Sequence, residues 1–180
     1  MDSNAKKTLF SIFGVMVFIL VMGLFAKRST EIRVTRPSNY LEGDFQELTV
    51  GGVSINAVIA DTGSKRKNGL SGVSEMGENQ GMFFVFNDRG VQPEFWMKDM
   101  LIPIDMLWID GETVVKIDHN VQPPAPDTSD RELIIYEPGQ PVDFVLEVNG
   151  GFSKANGIST GSIVDYSNVK WAVTPPYFEQ

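Results

Sequence analysis

The sequence predicts a mainly β domain, a compact sandwich or barrel with two short helices, preceded by one transmembrane helix. Three observations predict it. From Phe45 to Tyr166, short apolar runs alternate with Gly, Pro, Asn and Asp clusters, the pattern of many brief strands. Only two stretches carry helix start and stop signals, and both are short. Leu9 to Ala26 carries no charge and is interrupted only by Ser11, Gly14 and Gly23.

The hydrophobic run comes first. As a helix it is about 27 Å long, close to the roughly 30 Å of a bilayer's hydrocarbon. Lys6 and Lys7 flank it on one side, Lys27 and Arg28 on the other. A secretory signal peptide is the alternative, but Leu24-Phe25-Ala26 is a poor cleavage site, which favours an uncleaved anchor. Basic residues on both sides leave the positive-inside count undecided; a long following domain translocates largely regardless of charge, so the domain is expected outside. The chain divides into a basic segment at 1–8, the membrane helix at 9–26, a tether at 27–44, the β domain at 45–166 and a tail at 167–180.

Within the domain, Phe45 to Asp61 reads as two strands around a Gly51-Gly52 turn, with Val53, Ile55, Ala57 and Ile59 on one face. Asp61-Thr62-Gly63-Ser64 supplies capping side chains for a short helix that Gly69 ends. Gly72 to Gly81 is loop, and Met82 to Phe86 is a buried strand. Pro103 forces Ile102 into an extended conformation. Ile104 to Ile109 is a strand that turns through Asp110-Gly111, a type I′ signal, into Thr113 to Ile117. Residues 120–131, with Pro123, Pro124 and Pro126, form an irregular loop. Leu133 to Tyr136 and Val142 to Val148 are further strands, Phe152 to Asn156 is the second helix with Gly157 as its stop, and Ser162 to Tyr166 is the last strand.

Composition removes several function classes. There is no cysteine, so disulfides, thiolate metal sites and Cys nucleophiles are excluded. Residues 1–36 hold six Lys or Arg against two Asp or Glu, leaving nine against twenty-one, a balance of −12, in the remainder. An acidic soluble part argues against nucleic acid and anionic lipid as partners. With a single histidine, His119, a dedicated metal site is not expected, and no phosphate loop or dinucleotide fingerprint is present. No cofactor is expected. Gly157-Ile158-Ser159-Thr160-Gly161 matches a hydrolase elbow formally, but it follows a helix and opens a strand, the reverse of an elbow. Its glycines read as turn residues.

The chemistry concentrates in Phe95 to Gly111, which sets Lys98 and Asp105 among Trp, Met, Leu and Ile. Charge in such surroundings needs partners. In an extended segment Asp105, Leu107 and Ile109 face one way, and Ile104, Met106 and Trp108 the other. Asp105 then either pins a loop to the sheet, through backbone N–H groups or Lys98, or acts as an acid or base. Lys98 either lays its stem on Trp96 and Met97 or offers a cation at a pocket mouth. A carboxylate pair of Asp105 with Glu147 would suit glycoside-type hydrolysis.

Ala60-Asp61-Thr62, Gly69-Leu70, Gly81-Met82-Phe83-Phe84-Val85-Phe86, the run Phe95 to Asp105, Trp108-Ile109-Asp110, Pro123-Pro124, Val145-Leu146-Glu147 and Gly157 to Gly161 occur in an order that resembles domain of unknown function family 192. The resemblance covers about residues 46–166. It implies a compact mainly β domain, often exported or tethered, without an established activity. It also implies that Trp96, Lys98, Pro103, Asp105 and Glu147 are the pattern residues. The chain departs from the pattern at Asp99-Met100, where Asn-Thr is usual, and at Ser71-Gly72. The expectation is a membrane-tethered, extracytoplasmic, non-enzymatic binding or accessory domain. Its cleft around Trp96, Lys98, Asp105 and Glu147 would take a small molecule or a protein partner. The alternatives are a glycan or ester hydrolase using Asp105 with Glu147 or Lys98, and a purely architectural motif with function on the acidic surface.

Overall fold

A computed structural model describes residues 41–170. The basic segment, the membrane helix expected at 9–26, the tether up to residue 40 and the tail beyond residue 170 lie outside the described residues. Among the described residues no helix is long and apolar enough to cross a membrane.

The domain is one curled seven-stranded sheet, a half-barrel rather than two packed sheets. Its strands are β1 (Phe45–Val50), β2 (Val53–Ala60), β3 (Gln80–Val85), β4 (Ile104–Asp110), β5 (Thr113–Val121), β6 (Phe144–Asn149) and β7 (Val164–Asp165). Their order across the sheet is β5-β4-β6-β3-β2-β1-β7. At one end the two edges meet. Thr113 bridges Ile163, and Val114 exchanges backbone hydrogen bonds with Gly161 and Ser162 at 2.8 and 3.0 Å. β2 and β3 run parallel, joined by helix α1 (Gly63–Asn68) and a loop, while the other neighbours are antiparallel.

The sandwich expectation gives way to a half-barrel because the central strands bury both faces. Along β4 every residue from Ile104 to Ile109 is buried. One face packs Ile55, Ala57, Ile59, Phe83, Leu107, Phe144, Leu146 and Val148 together, closed by Phe152 of helix α2 (Phe152–Ala155). The other face carries Val58, Met82, Phe84, Met106, Trp108 and Val145, and the loops on either side of β3 cover it with Leu70, Val73 and Met76 and with Met97 and Met100. Continuous rather than alternating apolar runs are what two-sided burial produces. A second layer here is a loop, not a sheet.

Several boundaries differ from the sequence reading. The β4–β5 turn centres on Gly111-Glu112, and Asp110 pairs with Thr113. Gly111 has φ 55° while Glu112 does not take positive φ, which is the pattern of type II′ rather than I′. Leu133 to Tyr136 is not a strand. It follows a single 3₁₀ turn (Asp130–Glu132), makes one bridge, Phe95 with Tyr136, and leaves Ile134 and Ile135 exposed. The last strand shortens to two residues. Leu41, in the expected tether, is buried, and its N–H reaches the Glu75 carbonyl at 3.3 Å. The start of the tail also docks. Val169 is buried, and the Gln46 side chain bonds both the N–H and the carbonyl of Lys170.

Candidate functional site

The register of β6 separates the two carboxylates that the sequence singles out. Asp105 pairs with Val148 and Met106 with Glu147, while Glu147 also pairs with Met82 on its other side. Side chains alternate across a sheet. Asp105 therefore stands on the Val148 face and Glu147 on the opposite one, between two methionines, so the two cannot form one site.

Asp105 has no exposed surface and accepts three backbone hydrogen bonds: from Asn120 at 2.7 Å, and from Gly151 and Ser153 at 2.8 Å each. His119 Nδ1 lies 4.0 Å from the same carboxylate. The group ties the end of β5 to the start of α2. Its partners are backbone donors of these two segments, and neither Lys98 nor the 98–104 loop is among them. Lys98 instead bonds Asp130 at the surface, and that hydrogen bond raises its pKa.

Glu147 is 4% exposed, and its carboxyl opens into a cavity of about 280 Å³. Phe84, Phe86, Phe95 and Trp96 supply aromatic walls, with Leu70 and Met100 between them. Phe95 meets Phe84 edge-on at 5.0 Å and is locked by hydrogen bonds of 3.0 and 2.8 Å with Tyr136. Trp96, 54% exposed, follows at the mouth. The loop carrying it is tied down from the opposite wall: Ser71 Oγ donates to the Lys98 carbonyl at 3.1 Å and the Gly72 N–H to that of Asp99 at 2.8 Å. The departure at Ser71-Gly72 is thus a local fastening.

The wall formed by α1 is set by its caps. Thr62 accepts from the Lys65 N–H at 3.3 Å, and Gly69 ends the helix at φ 49°, its N–H bonding the Lys65 carbonyl. A side chain at Gly69 would be strained at that φ and would meet the Phe84 ring. Arg66, also in the wall, is committed elsewhere. Its guanidinium donates to the carbonyls of Asp61 and Val85 at 3.0 and 2.7 Å and to Asn87 Oδ1 at 3.3 Å.

Among the described residues no hydrogen bond or ion pair engages the Glu147 carboxyl. Burial alone pushes its pKa up to about 8, so it is mostly protonated at neutral pH. A protonated carboxyl offers one donor and one acceptor. An ionised one would need a cation or donors, and the cavity wall provides neither at the carboxyl.

A larger cavity of about 620 Å³ lies beneath Pro123-Pro124, lined by His119, Asn120 and Tyr136 among others. None of its polar side chains is buried, so it lacks the desolvated group that makes the smaller cavity distinctive. Among the described residues no cluster of three or more His, Asp or Glu could hold a metal. Ser159 sits in a turn closed by its N–H to Ser162 Oγ at 3.0 Å.

Of the four residues picked from sequence, Trp96 and Glu147 line one cavity, while Lys98 and Asp105 lie outside it. Phe84, Phe86, Leu70 and Arg66 were not anticipated as walls. Glu147 itself was the available signal: an acid inside Phe144 to Val148 on the face shared with Val145.

A family model for DUF192, described as an uncharacterized ACR, matches residues 46–166. The chain belongs to the DUF192 family. Its fold resembles a solved structure of a proposed transcription regulator from Sinorhizobium meliloti 1021, with 26% identity and a TM-score of 0.61, covering 72% of this chain and all of that one. A likeness of the same order is found with a protein of unknown function from Novosphingobium aromaticivorans DSM 12444. There the identity is 28% and the TM-score 0.58, over 68% of this chain and 85% of the other. No curated protein matches.

Proposed function

We propose that the chain is a non-enzymatic ligand-binding module, tethered to a membrane by residues 9–26 with its domain outside, that takes a small molecule between Trp96 and Glu147. The carrying observation is Glu147. Holding a carboxyl largely out of water costs free energy, and an apolar residue matching its neighbours Met82 and Met106 would avoid that cost. A bound ligand supplies the missing partner. Fixed aromatic walls and one or two convergent polar groups are the usual make-up of a ligand pocket.

The tether rests on the uncharged run from Leu9 to Ala26 and its basic flanks. Protease added to intact cells should digest the domain; full protection would reverse the orientation. The balance of −12 beyond residue 36 argues against carrying over the regulator role named for the Sinorhizobium protein. Hydrolysis is less well supported. Asp105 is tied up by three N–H groups on the opposite face, and Lys98 is paired with Asp130.

Saturation-transfer NMR with a mixture of small metabolites tests the reading. Ligands should bind the wild type and lose contact in Trp96→Ala and Glu147→Gln. Ligands indifferent to both substitutions would overturn it, and Glu147-dependent turnover of a glycan or ester would replace binding with hydrolysis.

A further inference from the structure

The chemistry of this cavity narrows the ligand class. Resting on the reading above, we propose that the pocket takes an alkylammonium headgroup, with its positive charge against the Glu147 carboxyl and its methyl or methylene groups against the rings of Phe84, Phe86, Phe95 and Trp96.

Several observations converge. Aromatic faces attract cations, most strongly once water is removed, and four aromatic residues line this one small space. The single buried acid among them lines the cavity and has no counterion among the described residues. Only burial perturbs Glu147, so among the described residues no cation lies close enough to hold it ionised. The neighbouring positive charges do not fill that place: the Arg66 guanidinium is bound to Asp61, Val85 and Asn87, and Lys67 is exposed at a rim it shares with oppositely charged Glu94. Finally, about 280 Å³ lies just below the usual pocket range of roughly 300–1,000 Å³. It suits a headgroup of a few heavy atoms whose remainder leaves past the exposed Trp96.

Proton balance follows from the charge. At neutral pH the carboxyl is mostly protonated. Binding a permanent cation ionises it, and the proton goes to solvent. An uncharged ligand of the same shape releases none.

The test is calorimetry on the full chain in detergent at pH 7 with choline and its uncharged isostere 3,3-dimethyl-1-butanol, each in two buffers of different ionisation enthalpy. Choline should bind at least tenfold more tightly and release close to one proton. Glu147→Gln, checked for folding by near-UV circular dichroism, should lose the preference and the proton release while keeping the isostere. Trp96→Leu should weaken choline more than the isostere. Equal binding of the two probes, or choline binding without proton release, would overturn the ammonium assignment and leave the cavity as a ligand site. Failure of both probes while other metabolites bind there would do the same. Failure of every ligand would remove both readings.

Discussion

Replacing Glu147 by Gln should change how stability depends on pH, and the size of the change follows from burial. The carboxyl titrates near its ordinary value of 4.5 in the unfolded chain and at about 8 in the folded one. Below pH 4.5 both states hold the proton and the group has no effect. Between 4.5 and 8 the unfolded state releases the proton first, so each pH unit removes about 1.4 kcal/mol from folding stability. Across the window the loss is about 5 kcal/mol, and it levels off above pH 8. Glutamine keeps the volume and hydrogen-bonding groups of the protonated acid but cannot ionise. Urea denaturation of the full chain in detergent at pH 5, 6, 7, 8 and 9 should therefore show the stability of Glu147→Gln relative to wild type climbing with pH, then flattening. Parallel stability curves for the two proteins would refute the reasoning, because they would mean the carboxyl ionises in the fold as freely as in water.

Other substitutions probe the frame around the cavity. Asp105→Asn leaves one of two acceptor oxygens and turns an amide NH₂ toward the Ser153 N–H. Losing a charge-assisted bond and orphaning a buried donor should cost roughly 3–5 kcal/mol in urea denaturation; a cost under about 1 kcal/mol would show that the tie is dispensable. Gly81→Ala places a Cβ 2.5 Å from the Glu147 carbonyl and 3.1 Å from Val148 Cγ1, contacts the sheet register cannot relieve. It should destabilise by roughly 1–3 kcal/mol, whereas an unchanged midpoint would mean that β3 and β6 sit farther apart than described. Lys98→Met breaks only the surface pair with Asp130, so the urea midpoint should stay put and ligand binding should persist. A collapse of binding would return Lys98 to the site.

The local elements were legible because their signals are local. Gly51-Gly52 marks the first hairpin, Thr62 and Gly69 bracket α1, and the face shared by Ile55, Ala57 and Ile59 follows from a period of two. What escaped depends on distant partners. Leu133 to Tyr136 has strand-like composition, but only Phe95 pairs with it, so the run stays irregular with Ile134 and Ile135 exposed. The curled single sheet depends on the contact of Thr113 with Ile163, fifty residues apart in the chain. The site divides the same way. Sequence placed charge among apolar residues at both Asp105 and Glu147. It could not say that three N–H groups from β5 and the start of α2 satisfy the first while no described residue bonds the second. Sequence offered backbone N–H groups or Lys98 as partners of Asp105; backbone N–H groups take that place, and Lys98 pairs with Asp130 instead.

The central claim is that Glu147 and Trp96, not Asp105 or the cavity beneath Pro123-Pro124, mark where a ligand sits. Crystallographic screening of small fragments tests it most directly, because it reports position without presupposing chemistry. Bound fragments should gather between the Trp96 ring and the Glu147 carboxyl, with a polar atom within hydrogen-bond distance of that carboxyl. Fragments found only under the proline loop, with the Glu147 cavity empty throughout, would contradict it.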